Sequence, residues 1–90
     1  MSIKVVHCQH YDYDVYIGNG TIWGNPFVIG RDGTRKEVID KYRVYALGSK
    51  TIIDSLPFLK DKVLGCWCKP KACHGDVLIE LVENKIILTI

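Results

Sequence analysis

Residues 65–76 read GCWCKPKACHGD. Cys66, Cys68, Cys73, His74 and Asp76 lie within this one stretch, and these residue types can ligate a soft metal, attack an electrophile or hold a ligand by hydrogen bonds. Zinc is the metal the types suit, with Cys66, Cys68, Cys73 and His74 as its ligands. The spacing argues against it. A C-x-C pair followed by adjacent Cys and His is not the C-x₂-C and H-x₃₋₅-H pattern of structural zinc sites, and neighbours such as Cys73 and His74 diverge at a helix start. No cofactor is therefore expected, and zinc stands as the alternative.

Nucleophilic catalysis is the second chemistry. A thiol at a helix N-terminus is activated, because the dipole and the free N–H groups favour thiolate. Cys73 has that position and Cys68 is near it in sequence. His74 or His7 would be the base and Asp76 the group that orients it. The third chemistry is a cradle. The amides of His74, Gly75 and Asp76 would face an anion, Gly75 would allow close approach, and the Asp76 carboxylate would accept from a ribose or base. Simple packing competes with all three: free cysteine is among the most buried residue types, and Cys66 and Cys8 lie on apolar stretches where packing is the better reading. Asp76 also suits a first helical turn, and His74 suits a surface.

A second segment, IGNGTIWGNPF (17–27), sets Trp23 and Phe27 around Gly24-Asn25-Pro26. Trp23 offers a stacking face and Asn25 both donates and accepts, so together they would hold a planar ring. Taken alone, the segment reads as a turn with a core tryptophan.

These residues must be positioned by regular elements. IKVVHC (3–8) is apolar and β-branched and predicts a strand; YDYDVYIG (11–18) alternates with period two and predicts another. After the turn at Asp32-Gly33, Thr34 followed by Glu37 makes a capping box, and Val38, Tyr42, Tyr45 and Ala46 recur at helical spacing until Gly48. A shorter helix is expected from about Ser49 to Leu56, interrupted by Pro57. KVLGCWC (62–68) predicts the central strand, with Cys66 and Cys68 on one face and Trp67 on the other. Residues 73–85 predict a helix with Val77, Leu78, Leu81 and Val82 inward, and IILTI (86–90) a last strand or dimer contact. The order is β, β, α, α, β, α, β, a small single α/β domain over 1–90 with about three helices packed on its sheet. The chemistry-bearing loop then lies beyond the carboxyl end of a strand, where open α/β sheets tend to bind ligands.

Composition bounds the function. The chain has 90 residues, 48% hydrophobic and 24% charged, with a net charge of +2. That is the balance of one soluble globular domain. The basic residues are few and dispersed, which argues against nucleic acid. The first residues lack a secretory pattern and no apolar run reaches the ~20 residues of a membrane span, so a cytoplasmic protein with reduced thiols is expected and no membrane partner.

The segments DVYIG (14–18), WGNPF (23–27), DGTRKEVIDKY (32–42), LPFL (56–59) and LGCWCKPKACHGDVL (64–78) resemble an uncharacterised domain family of bacteria and phages whose function is unknown. The resemblance covers most of the chain. It implies a compact α/β domain and a polar site lined by Trp23, Asn25, Cys66, Trp67, Cys68, Cys73, His74 and Asp76, and carries over no established reaction. Family members often have an arginine directly after YIG; Asn19 stands there in this chain, which removes a cationic handle. The KIILTI tail resembles an addition. The leading expectation is a small-molecule site for a nucleotide-like or nucleobase-containing ligand: Trp23 stacks, Asn19, Asn25 and Asp76 give polar contacts, and the 74–76 amides take an anion. In a phage setting such a site would sequester a host nucleotide. The alternatives are an enzyme with Cys nucleophile and His base, and a zinc domain. A homodimer paired through IILTI is a further expectation.

Overall fold

Three short parallel strands carry the architecture: β1 (Lys4–His7), β2 (Val15–Tyr16) and β3 (Val63–Cys66), in the order β1-β3-β2. The computed structural model describes residues 3–69 and 71–88, the side chains of 84–88 excepted. β3 is central, as its apolar sequence predicts. Leu64 pairs with Val5 on one side and with Val15 on the other. The three-stranded parallel sheet and three helices make this a small α/β fold.

β2 is shorter than the period-two pattern at 11–18 predicts. The chain leaves β1 beside Cys66 and enters β2 beside Leu64 on the far edge, so residues 8–14 must cross β3. They cross where β3 has no side chain: a Cβ on Gly65 would lie 2.6 Å from Cγ of Tyr13. Asp14 pins the far end, donating its N–H to the Val63 carbonyl at 2.7 Å and accepting the Val63 N–H on Oδ2 at 2.8 Å. The alternation of tyrosines and acids thus belongs mostly to a crossover.

α1 (Arg35–Leu47) begins as the capping box predicts. Thr34 Oγ1 accepts from the Glu37 amide at 3.2 Å, and Glu37 Oε1 accepts from the Thr34 amide at 2.9 Å. Val38, Tyr42 and Ala46 are buried; Tyr45, expected to face inward, is 42% exposed and meets the edge of Phe27. Ser49 caps α2 (Lys50–Ser55), and Pro57 sits in a 3₁₀ turn at Leu56–Leu59 before β3.

α3 (His74–Leu88) buries Val77, Leu78 and Leu81. It continues through residues 86–88, where a strand was expected; 89–90 lie outside the described residues. An apolar β-branched run has only a weak intrinsic preference, and here it extends a helix already begun. Leu64, Ile17, Ile52, Leu56, Leu59 and Leu78 are fully enclosed, and each such side chain is worth roughly 1.5–3 kcal/mol on burial. Arg43 forks onto Glu80 at 3.0 and 3.3 Å, joining α1 to α3, but a pair this exposed adds only about 0–1 kcal/mol. Among the described residues, no helix is long and apolar enough to cross a membrane.

Candidate functional site

β3 ends at Cys66 and α3 starts at His74, so residues 67–73 turn at the carboxyl end of the sheet. Cys73 stands in the N-cap position. Its N–H donates to Asp76 Oδ2 at 3.1 Å, which is the acid half of a capping box. Asp76 Oδ1 takes the Lys69 ammonium at 2.5 Å. Asp76 therefore fixes the loop to the helix, and it does not line the cleft described below.

The sulfurs of Cys66 and Cys73 lie 3.3 Å apart and both residues are buried, at 1% and 2% exposure; all four cysteines are free. One thiol donates to the other. The Cys73 S–H, and after it the backbone amides of Cys68 and Lys69, pull the Cys66 thiol down to about 5 against the effect of burial. The same contact, with burial, pushes Cys73 far up. Physically the pair shares one proton, losing the first early and the second late. Burial works against the Lys69 ammonium, but Asp76 and the two cysteines hold its pKa above the ordinary value. Cys66, read from its apolar strand as a packing residue, is thus the acidic thiol; Cys73, the expected nucleophile, is its proton donor.

His74 is buried at the start of α3, its ring edge-on to Tyr42 and its Nε2 2.7 Å from the Ile17 carbonyl. A carbonyl only accepts, so Nε2 carries the hydrogen and Nδ1 keeps its lone pair. Burial holds the pKa of His74 below the ordinary value, so the ring is neutral. His7 is a different case: its Nδ1 accepts from the Gln9 amide, and its ring lies against His10 and Trp67, outside the cleft lining.

A cleft of about 490 Å³ opens at this end of the sheet. Cys66, Trp67, Cys68, Cys73 and His74 line it from the β3–α3 junction, Tyr16 and Asn19 from beside β2, and Asn25, Phe27, Val28, Ile29, Arg35 and Ile39 from the loop before α1 and from α1 itself. Trp67 is 55% exposed and its indole N–H donates to the Tyr16 hydroxyl at 2.8 Å, which braces two aromatic rings at the rim. Arg35 reaches across to the Ala72 carbonyl at 2.9 Å.

Several expected ligand contacts are placed elsewhere. Trp23 is buried, at 4% exposure, and its carbonyl accepts from the Tyr42 hydroxyl at 2.7 Å; it belongs to the core, and the aromatic rings that line the cleft are those of Phe27, Trp67 and Tyr16. Gly75 is pressed on the sheet, where a Cβ would meet Ile17 Cδ1 at 2.8 Å and Val5 Cγ2 at 2.9 Å, so its missing side chain serves helix packing rather than an anion. The Asp76 amide is taken by the Cys73 carbonyl at 3.0 Å, and the Gly75 amide favours the Cys73 sulfur. The 74–76 segment is therefore not an open cradle. Asn25 lines the cleft, but its Oδ1 accepts from the Phe27 amide at 2.9 Å and its Nδ2 donates to the Val38 carbonyl at 3.3 Å, tying the WGNPF turn to α1.

Among the described residues, no three His, Cys, Asp or Glu side chains are gathered as metal ligands. His74 donates Nε2–H to a carbonyl and keeps the Nδ1 lone pair, and of the three proposed cysteine ligands Cys66 and Cys73 have sulfurs in contact. The donor types suit zinc, but as placed the described residues do not gather them into one tetrahedral site. Arg35 is the cleft residue that sequence reading overlooks: it stands at the first position of a helix, and no spacing rule links it to Ala72.

Residues 3–84 match the family model described as "Domain of unknown function (DUF4326)". The chain is 38% identical over 86 residues to an uncharacterized 12.4 kDa protein of the nrdA-td intergenic region of Enterobacteria phage T4, covering 90% of this chain and 78% of that protein. It is 37% identical over 88 residues to an uncharacterized protein of Acanthamoeba polyphaga mimivirus, covering 78% of this chain and 67% of that one. No solved structure matches. Strands, cleft and cysteine loop all fall inside the matched residues, and the chain belongs to this family of unknown function.

Proposed function

We propose that the protein is a small-molecule-binding domain whose ligand has a planar ring and an anionic group, as a nucleotide does. The observation that carries this reading is the cleft of about 490 Å³ beyond the carboxyl end of a parallel sheet, with Phe27, Trp67 and Tyr16 offering ring faces and Arg35 a cation. That volume is within the ~300–1,000 Å³ usual for ligand pockets, and the position is where open α/β sheets hold their ligands. Arg35 takes the anionic part by charge-assisted hydrogen bonds, the role first expected of the 74–76 amides. Asn19, exposed at the cleft, adds a neutral polar contact. With relatives in a phage and a giant virus, withholding a host nucleotide is a use that needs no turnover. Calorimetric titration with a panel of nucleoside mono-, di- and cyclic phosphates tests the reading: saturable binding to at least one, weakened in Arg35→Ala, is expected, and a flat response across the panel removes it.

A second reading is favoured by a separate observation, the acidic Cys66 thiol on the cleft. In it the Cys66 thiolate attacks an electrophilic carbon or phosphorus of the bound nucleotide-type substrate as the bond to the leaving group breaks. The leaving group takes the Cys73 proton, and neutral His74 takes on Nδ1 a proton from the water that then cleaves the adduct and frees Cys66. Burst release of product with a covalent adduct on Cys66 supports it; turnover that survives in Cys66→Ser discards it.

A further inference from the structure

The second buried cysteine has no part in ligand binding, yet its sulfur is the nearest partner of the acidic one. Among the described residues, Cys66 and Cys73 are the cysteines whose sulfurs touch, at 3.3 Å, and both line the cleft. Cys8 and Cys68 are half-buried and free. A disulfide needs about 2.05 Å, so the sulfurs must close by about 1.3 Å. Cys66 ends β3 and Cys73 stands directly before α3, so the two sulfurs come from neighbouring ends of different elements. Packing alone would not call for an ammonium beside two thiols, and Lys69 is held there by Asp76.

We propose that Cys66 and Cys73 form a redox-active dithiol that exchanges with small disulfides entering the cleft and closes reversibly to an intramolecular disulfide. The Cys66 thiolate attacks one sulfur of a disulfide RSSR, making a Cys66–SR mixed disulfide and expelling RS⁻. That RS⁻ takes the Cys73 proton, whose hydrogen-bond partner has just lost its charge. The Cys73 thiolate, favoured by the α3 N-terminus and by Lys69, attacks Cys66 Sγ and expels the second RS⁻. The dithiol is oxidised by two electrons and RSSR is reduced to RSH and RS⁻, so protons and charge balance. Closure removes the Cys66 thiolate from the cleft. The dithiol chemistry does not depend on which ligand the cleft binds.

The test uses glutathione disulfide and the full chain. After equilibration, acid quench and alkylation, peptide mapping reads which thiols were protected. The expected product is a Cys66–Cys73 bridge, lighter than the dithiol by two hydrogens, with Cys8 and Cys68 alkylated and reversal by excess reduced glutathione. Cys73→Ser, which keeps a good N-cap, traps the mixed disulfide on Cys66, and Cys66→Ser slows oxidation at least about tenfold, since an ordinary thiol is only a few per cent thiolate at neutral pH. The double variant Cys8→Ser, Cys68→Ser retains the pair, so it forms the same bridge even where a Cys66 or Cys73 variant fails to fold. A bridge involving Cys8 or Cys68, a mixed disulfide that persists in the wild type, or four thiols that stay reduced while free cysteine oxidises would each overturn the proposal.

Discussion

A sulfur that accepts a hydrogen bond from a neighbouring thiol and from two amides holds negative charge well, which favours Cys66 as the thiolate of the pair. Site-resolved iodoacetamide labelling of Cys66 should rise with a midpoint near pH 5, following its lowered pKa, while a free thiol titrates near ~8.5. A midpoint for Cys66 in the ordinary range would show that the Cys73 proton is not shared. Arg35→Ala should weaken nucleotide binding by about tenfold or more, because a hydrogen bond to a charged group is worth about 1.5–3 kcal/mol, with a modest fall in melting temperature from the lost bond to the Ala72 carbonyl. The sequence disclosed the motif but not the roles within it. Burial of Cys66 followed from its apolar strand; its contact with Cys73 depended on how the intervening turn folds, which no periodicity records. Trp23 is in the core, as its segment taken alone suggests, and Tyr42, nineteen residues on, donates its hydroxyl to the Trp23 carbonyl there.

Helices were the readable elements, since their signals are local. The Thr34–Glu37 box, the burial of Val38, Tyr42 and Ala46 on α1 and that of Val77, Leu78 and Leu81 on α3 are where the spacing put them, Tyr45 excepted. β2 and the end of α3 were not readable, because one is shortened by a crossover over β3 and the other is an apolar run that either structure can use. Two substitutions measure this layer. Thr34→Ala should cost ~1 kcal/mol through the lost cap. Gly75→Ala should be destabilising despite a helix-propensity gain of up to ~1 kcal/mol, since forcing a methyl against Ile17 and Val5 costs about 1–3 kcal/mol. Chemical denaturation reads both, and a stabilised Gly75→Ala would mean that α3 does not press on the sheet this closely.

Across the whole molecule the thiol pair also couples folding to pH. Cys66 has a lowered folded pKa, so its contribution is complete above the ordinary thiol value and is lost as pH falls through about 5. Cys73 has a raised one, so its contribution is intact below the ordinary value and is lost as pH rises beyond it. Denaturant midpoints should therefore climb from about pH 5 toward the thiol range and fall above it, a profile that Cys66→Ser flattens on the acid side. The parallel sheet, with its chemistry gathered at one end, follows from the order of strands and helices, whereas the cleft arises from three separate segments meeting. Whether this cleft binds a nucleotide-like ligand is read by an amide chemical-shift titration of the ¹⁵N-labelled chain with the tightest-binding nucleotide. Saturable shifts concentrated at Asn19, Phe27, Arg35, Trp67, Cys68 and His74 are expected. Shifts absent at saturating nucleotide, or centred on the crossover around Tyr11 and Tyr13, would contradict it.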